Sequence, residues 1–109
     1  MMENMDKIVI FVTAGSPEEA EKIADLLVKK RKTACANIVP KIHSLFWWCG
    51  KIDSSDEVLL IFKSKACLLQ DIVSLVKEAH SYDVPEIIAL PIIGGNEDYL
   101  RWIEEETEG

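Results

Sequence analysis

The chain has 109 residues, of which 49% are hydrophobic and 28% are charged, the composition of an ordinary globular protein. This length is typical of one domain, so we expect residues 1–109 to form a single domain in which residues 1–6 are a flexible tail. The net charge is −7, whereas a nucleic-acid-binding module would need a basic face. Most of the negative charge lies in the C-terminal segment, residues 96–109.

The three cysteines, Cys35, Cys49 and Cys67, have no CxxC spacing, which predicts free thiols in a reducing compartment. The N-terminus has no basic start followed by an apolar run, as a signal peptide would. The longest unbroken apolar runs have five residues, far short of a membrane span. We therefore expect a soluble cytoplasmic protein that binds neither nucleic acid nor membrane.

The first elements in chain order are a strand and a helix. Residues 8–12 are a continuous β-branched and aromatic run, which predicts a strand buried on both faces. Ser16 then stands at the N-cap position, Pro17 at the first helical position and Glu19 three residues after the cap, the pattern of a capping box. We interpret the basic run over residues 29–32 as the solvated end of this helix rather than as a phosphate site.

A long extended stretch follows over residues 34–48. Pro40 cannot donate to a β ladder, so it predicts a bulge or an edge position. Residues 49–50 predict a tight turn, and a return strand begins directly after it. The polar residues 53–56 predict a bulge or a break in that strand.

The second half of the chain repeats the order of the first. We predict a buried strand over residues 58–62, a helix over 66–79, a strand over 86–92 and a terminal helix over 98–106. The order is β-α-β-β-α-β plus a helix. This order is typical of a ferredoxin-like α/β fold (an α+β sandwich), in which the first two helices cover one face of the sheet.

Two features predict that identical copies pack together. The strands over residues 8–12 and 58–62 are apolar on both faces, so the face without helices also needs a cover. Fifteen extended residues reach roughly 50 Å, whereas the radius of gyration of such a domain is about 13 Å. The tip of this long hairpin carries Phe46, Trp47 and Trp48, which we expect at the interface between copies. The alternative is a strand that bends back at the proline to cover its own sheet.

Four motifs together are similar to those of the CutA1 family, the divalent-cation tolerance proteins. They are ACANIVP at residues 34–40, WWCGKI at 47–52, EVLLIFK at 57–63 and HSYDVPEI at 80–87. The resemblance extends over essentially the whole chain. It implies a ferredoxin-like protomer assembled as a homotrimer through β pairing between subunits, with an architecture like that of PII signalling proteins. It also implies a role in tolerance of copper and other divalent metals.

Two positions depart from the family pattern. Cys49 stands where the family has an acidic residue after the double tryptophan, which places a thiol at the hairpin turn. Ser81 stands where the family has a proline, and we expect it to loosen the loop that holds His80.

The resemblance implies that Cys35, His80 and Glu86 are metal ligands. A thiolate, an imidazole and a carboxylate suit Cu(II) best, with Zn(II) as the second choice. These residues are far apart in the sequence, so only the fold, with or without a neighbouring subunit, can bring them together. Each also has a structural interpretation: Cys35 as a small buried hydrophobe, His80 as a cationic helix C-cap and Glu86 as an ion-paired strand end.

Other cysteines and histidines are weaker candidates. His43 and Cys49 form a second metal pair by residue type alone, and a solvent-facing strand histidine with a turn cysteine explains them better. Cys67 opens the second helix without a visible partner. A Cys35–His80 nucleophilic dyad would also need an oxyanion hole, which the sequence does not disclose. We therefore predict a non-enzymatic protein without an organic cofactor.

An alternative function is a PII-like signalling or small-ligand-binding module. Trp48, Lys63 and Tyr82, with Glu86, are candidates to line a cleft between subunits that takes a small anion or a partner segment. The alternative interpretation is that the same residues only pack against each other where the subunits meet. The preferred prediction from the sequence is thus a trimer that binds a divalent metal, and the alternative is a trimer that binds a small ligand.

Overall fold

The computed structural model describes residues 6–109 and has the predicted order of elements. The strands are β1 (Lys7–Ala14), β2 (Cys35–Trp48), β3 (Lys51–Lys65) and β4 (Ile87–Pro91), and the helices are α1 (Pro17–Lys29), α2 (Leu69–Ala79) and α3 (Glu97–Glu106). A 3-10 turn over Ala66–Leu68 leads into α2. Residues 1–5 of the predicted tail lie outside the described residues. The Asp6 carbonyl accepts a hydrogen bond from the Ala66 N–H.

The four strands form one antiparallel sheet in the order β2-β3-β1-β4, which confirms the ferredoxin-like α+β class. Ile10 of β1 and Phe62 of β3 are paired neighbours on one face of this sheet. They are fully buried in a single core together with Ile23 of α1 and Ile72 of α2. Helices α1 and α2 therefore cover the same face of the sheet, as predicted.

The N-terminus of α1 has half of the predicted capping box. The Ser16 hydroxyl accepts a hydrogen bond from the Glu19 N–H at 3.2 Å, and Pro17 begins the helix. The Glu19 carboxylate does not return to the Ser16 N–H, as the predicted box requires. It accepts a hydrogen bond from the Gly15 N–H at 2.9 Å instead, because this carboxylate also reaches across to the loop after α2.

The hairpin of β2 and β3 is paired along its whole length, with one irregularity between Val39 and Ile42. Pro40 lies in this bulge and on an edge strand, so both of its predicted roles are present. The bulge or break predicted over residues 53–56 is wrong. Each of these polar residues has a partner on β2, for example Asp53 opposite Phe46, and backbone pairing keeps the strand continuous.

The hairpin ends in a two-residue turn and extends beyond the helices. Cys49 and Gly50 have φ angles of 51° and 77°, the positive values that a type I′ turn needs to match the twist of its strands. The molecule is 43 Å long and 27 Å wide. The hairpin therefore extends beyond the helices. Because β2 stays paired with β3 on both sides of Pro40, the alternative of a strand that bends back at this proline is wrong.

The face of the sheet opposite α1 and α2, here called the open face, is covered only in part. By strand alternation it carries Phe11 of β1 and Ile61 of β3, which are half-buried, and Ile88 and Leu90 of β4, each 51% exposed. Helix α3 lies over one end of this face, where Glu104 binds two lysines. The rest of the open face is an apolar surface without a cover from the described part of this chain.

The acidic C-terminal segment is held by basic side chains. Glu104 binds the ammonium groups of Lys7 at 2.8 Å and Lys65 at 3.2 Å, and both lysines are buried. The hydrogen bond from Lys7, followed by the one from Lys65, lowers the pKa of Glu104. Burial disfavours the charge of Lys7, but its hydrogen bonds to Asp6 and Glu104 outweigh burial and raise its pKa.

The basic run over residues 29–32 also contacts this segment. Arg31 binds Glu106 at 3.0 Å, and Lys32 binds Glu108 and, at 3.1 Å, Asp71. The interpretation of this run as a solvated helix end holds for Arg31, which stays exposed, whereas the Lys32 side chain is largely covered by its ion pairs. The acidic segment folds back onto them because opposite charges meet at the end of α1.

We expect Glu104→Gln to lower the free energy of unfolding at neutral pH by about 1 kcal/mol, a small value because Glu104 is half exposed and water screens the pair. A carboxyl group with a lowered pKa stabilises the fold above its unfolded value of 4.5 and loses that effect as the pH falls through the folded pKa. The difference between wild type and variant should therefore vanish in acid.

Denaturant unfolding at neutral pH and below pH 4.5 measures this difference. Glu105→Gln, the neighbouring exposed carboxylate, serves as the control. Equal losses in the two variants would contradict the role of the lysine pair.

Candidate functional site

A cleft of about 750 Å³ lies between the hairpin and the loop over residues 81–86. One wall comes from β2 and β3, which pair Phe46 with Asp53 and Trp48 with Lys51. Because alternate residues of a strand point to the same face, Phe46 and Trp48 share the cleft side and Trp47 points away. The opposite wall comes from the loop, with Tyr82 at its centre. The volume is in the range of small-molecule sites.

The cleft is acidic. Its carboxylates are Asp53 and Glu57 from β3 and Asp83 and Glu86 from the loop. Among the described residues that line the cleft, none is basic. The arrangement therefore attracts cations and repels anions, which disfavours the small anion considered from the sequence.

Tyr82 joins the two walls of the cleft. Its hydroxyl donates a hydrogen bond to Glu57 Oε2 at 2.9 Å. Burial of the phenol and, next, this hydrogen bond raise the pKa of Tyr82 to about 12. The hydroxyl therefore stays protonated at neutral pH and remains a donor to the carboxylate.

His80, the residue after α2, links the loop over residues 81–86 to β1. Its side chain is fully buried, Nε2 donates to the Thr13 carbonyl at 2.6 Å, and Nδ1 accepts from the Tyr82 N–H at 3.1 Å. His80 is the C-cap residue of α2, as its structural interpretation predicted, and both of its ring nitrogens are occupied.

Ser81 ties this loop to α1 through its backbone, a contact that the sequence analysis did not anticipate. Its N–H donates to Glu19 Oε2 at 2.7 Å, a bond that the family's proline has no N–H to make. Burial opposes ionisation of Glu19, but hydrogen bonds from Gly15 and Ser81 outweigh burial and lower its pKa. A charged carboxylate on α1 thus holds the chain directly after His80.

The three predicted metal ligands do not meet within one chain. Cys35 lies opposite Lys63, which pairs with Val9, whereas His80 contacts Thr13, four residues further along β1. That offset is about 13 Å along the strands, in addition to two strand spacings. Residues 6–109 hold no group of three His, Cys, Asp or Glu side chains placed for a metal ion. The same separation excludes the Cys35–His80 dyad within one chain.

Cys35 and Lys63 share a polar environment away from the cleft. The Cys35 thiol donates to Asn37 Oδ1 at 3.7 Å, and the Lys63 ammonium binds the same oxygen. Burial and, next, the contact with Cys35 raise the pKa of Tyr99 on α3. Of the predicted cleft residues, Trp48, Tyr82 and Glu86 line the cleft, and Lys63 does not.

The second candidate metal pair is not brought together either. His43 Nδ1 lies 3.0 Å from Asp56 Oδ1 on the hairpin face that carries Trp47. Cys49 lies at the turn, six residues further, and both side chains are exposed. The hydrogen bond from His43 and, next, the charge of Lys41 lower the pKa of Asp56.

Several residues of the site escaped the sequence analysis. Asp53, Ser55 and Glu57 lie on the cleft side of β3, but Ser54 and Asp56 between them are also polar, so the sequence has no alternation of polar and apolar residues that would mark this face. The polar run over residues 53–56 predicted a bulge or a break instead. Thr13 and Glu19 carry no such signal, because their roles arise from contacts with residues more than sixty positions away.

Comparison with known proteins decides the family. The family model described as CutA1 divalent ion tolerance protein matches residues 8–106. The chain belongs to the CutA1 family. The chloroplastic CutA 1 of Oryza sativa is 45% identical over 100 residues, which are 92% of this chain and 56% of the rice protein, so the chain spans little more than half of that relative.

Other CutA proteins match along almost their whole length. The divalent-cation tolerance protein CutA of Thermus thermophilus is 42% identical over 99 residues, 91% of this chain and 96% of that protein. The crystal structure of CutA1 from Oryza sativa has a TM-score of 0.91 at 44% identity and covers 94% of each chain. Both the family resemblance and the fold expected from it are confirmed. No helix within residues 6–109 is long and apolar enough to cross a membrane.

We expect His80→Phe to lower the free energy of unfolding by about 2–4 kcal/mol, because the Thr13 carbonyl and the Tyr82 N–H would each lose a buried partner. Lys22→Gln, at an exposed position on α1, is the control and should change it by less than about 0.5 kcal/mol. Denaturant unfolding compares the two variants. Similar values for both would refute the positioning role of His80 in this CutA1 chain.

Proposed function

We propose that this chain acts in divalent-cation tolerance by binding a divalent metal ion, without catalysing a reaction. The observation that carries the proposal is the family match over residues 8–106, with relatives that are named divalent-cation tolerance proteins. The acidic cleft supports it, because four carboxylates draw cations to this side of the molecule.

The proposed ligands are those that the family resemblance implies, Cys35, His80 and Glu86, brought together by two copies. Cys35 begins β2 and Glu86 precedes β4, and these are the two edge strands of the sheet. Edge-to-edge pairing of two copies places one β2 beside another copy's β4. His80 joins the set only when Nδ1 gives up its bond with the Tyr82 N–H. Thiolate, imidazole and carboxylate favour Cu(II) first and Zn(II) second.

The assembly we propose is a homotrimer. A single chain leaves both edge strands unpaired, and it exposes 72% of Trp47 and 61% of Trp48 at the hairpin tip, with Phe46 beside them. The open face adds the exposed Ile88 and Leu90. Unpaired edges and contiguous apolar surface of this kind are features of interfaces. The compartment we propose is the cytoplasm, where the thiols of Cys35, Cys49 and Cys67 would stay reduced.

A second candidate function is a PII-like small-ligand module. The observation that favours it is the cleft itself, which has aromatic side chains and a few polar groups in a volume of about 750 Å³. Such a composition is typical of small-molecule sites.

Calorimetric titration with Cu(II), Zn(II) and Mg(II) tests the metal site. We expect wild type to bind Cu(II) most tightly, and Cys35→Ser and Glu86→Gln to weaken that binding by about tenfold or more. Cys67→Ser and Glu97→Gln are matched controls, since both residues are exposed and outside the proposed set. Equal Cu(II) affinity in wild type and Cys35→Ser would overturn the ligand assignment.

Light scattering tests the assembly. We expect about 37 kDa, three times the chain mass of 12.3 kDa. In an assembly that buries Trp47, Trp47→Ala should lower the free energy of unfolding by about 3–5 kcal/mol. The variant should also dissociate into smaller species on dilution. Trp102→Ala is the control, because that ring stacks on Tyr99 of its own helix at 5.4 Å. A wild-type mass of 12.3 kDa at every concentration would contradict the interface.

A further inference from the structure

We propose that one end of the molecule binds an acidic peptide segment of a partner protein, and that the chain's own C-terminal segment competes for this site. The site, here called the basic end, is formed by Lys7, Arg31, Lys32 and Lys65. The segment that covers it, over residues 104–109, is here called the strap. The proposal does not depend on the metal or small-ligand functions.

The strap and the basic end are complementary in charge. The strap carries carboxylates at residues 104, 105, 106 and 108, and three of these are bonded to cations of the basic end. Asp6 and Asp71 each bind one of the same cations, which leaves two negative charges against four positive ones when the strap is away. A surface with such an excess of positive charge attracts an acidic partner.

The contacts of the strap select a peptide rather than a simple anion. The Glu108 N–H donates to the Arg31 carbonyl at 2.9 Å. The Arg31 guanidinium donates to the backbone carbonyl of Glu106 at 3.2 Å, in addition to its carboxylate. The basic end thus binds a peptide backbone as well as side-chain carboxylates, and a phosphate has no N–H to offer to the carbonyl.

The strap is held mainly by charge and can open while the core stays folded. Ile103, just before it, is fully buried and anchors α3. The carboxylates of the strap that bind the basic end are between 42% and 48% exposed. Ion pairs at such exposure contribute about 1 kcal/mol or less each. The Thr107 hydroxyl bonds to the Ile103 carbonyl of its own segment. Local opening of the strap is therefore far less costly than global unfolding.

The basic end lies away from the surfaces that the proposed trimer would bury. It is at the opposite end of β3 from the hairpin turn. Glu108 binds Lys32, which also binds Asp71 on α2, and Gly109 lies near Leu68 ahead of α2. The strap thus reaches the side that carries the helices. The trimer uses the hairpin tip, the edge strands and the open face, so this side stays accessible to a partner.

The probe is a fluorescent, acetylated peptide with the sequence of residues 103–109, and its anisotropy is measured with the assembled full-length protein. In wild type, the strap competes at an effective concentration in the range of about 1 mM, so we expect weak binding. In the variant Glu104→Gln/Glu106→Gln/Glu108→Gln, the strap loses the charges that hold it. We expect this variant to bind the peptide about tenfold more tightly or better.

Matched controls test the charge and the location of the site. The same peptide with glutamine in place of each glutamate should not bind. Lys32→Gln, added to the triple variant, should weaken peptide binding several-fold, because it removes a cation of the basic end. Lys77→Gln, at an exposed position in the last turn of α2, should leave it unchanged.

Hydrogen exchange of the wild-type protein is the second measurement, and it keeps the test decisive if the triple variant fails to fold. We expect the amides of the strap, such as the Glu108 N–H, to exchange faster when the unlabelled peptide is added in excess. The amides of β1 should keep their exchange rates, because the core stays closed.

Each contrary outcome overturns a separate part of the proposal. Equal peptide affinity in wild type and the triple variant would refute competition by the strap. Triphosphate binding as tight as that of the peptide would refute the peptide as the partner. Equal effects of Lys32→Gln and Lys77→Gln would refute the location. A peptide that neither binds the triple variant nor speeds exchange of the strap would overturn the proposal as a whole, without bearing on the metal site.

Discussion

The pairing of β2 with β3 beyond the helical layer is the interaction on which the rest of this structure depends. It carries backbone hydrogen bonding past the bulge at Pro40 to the turn at Cys49, well outside the core formed with α1 and α2. Because the pairing is continuous, alternate residues divide cleanly between two faces. One face becomes the cleft wall with Trp48, and the other carries the exposed Trp47.

The second wall depends on contacts that are distant in sequence. His80 links the end of α2 to β1, and Glu19 links the start of α1 to the same loop. These bonds hold Tyr82 against Glu57, so the cleft is formed where four elements meet. Buried hydrogen bonds of this kind are costly to break one at a time. The histidine implied as a metal ligand therefore acts, within one chain, as the support of the cleft.

The distribution of charge separates structural from accessible carboxylates. Much of the negative charge lies in the C-terminal segment, but Glu104, Glu106 and Glu108 are paired with lysine or arginine and hold α3 in place. The cleft carboxylates have no basic neighbour among the described lining residues.

Local pattern determined the elements of this protein. The apolar runs, the cap at Ser16 and the turn at residues 49–50 depend on neighbouring residues only, so the ferredoxin-like order and the overhanging hairpin could be predicted from sequence. Only the tertiary structure decided which side chains meet. In the fold, Cys35 lies far from His80, and Lys63 lies outside the cleft. The Ser81 N–H is bonded to Glu19. Such contacts depend on strand register and on how helices pack across the sheet, which no local pattern encodes.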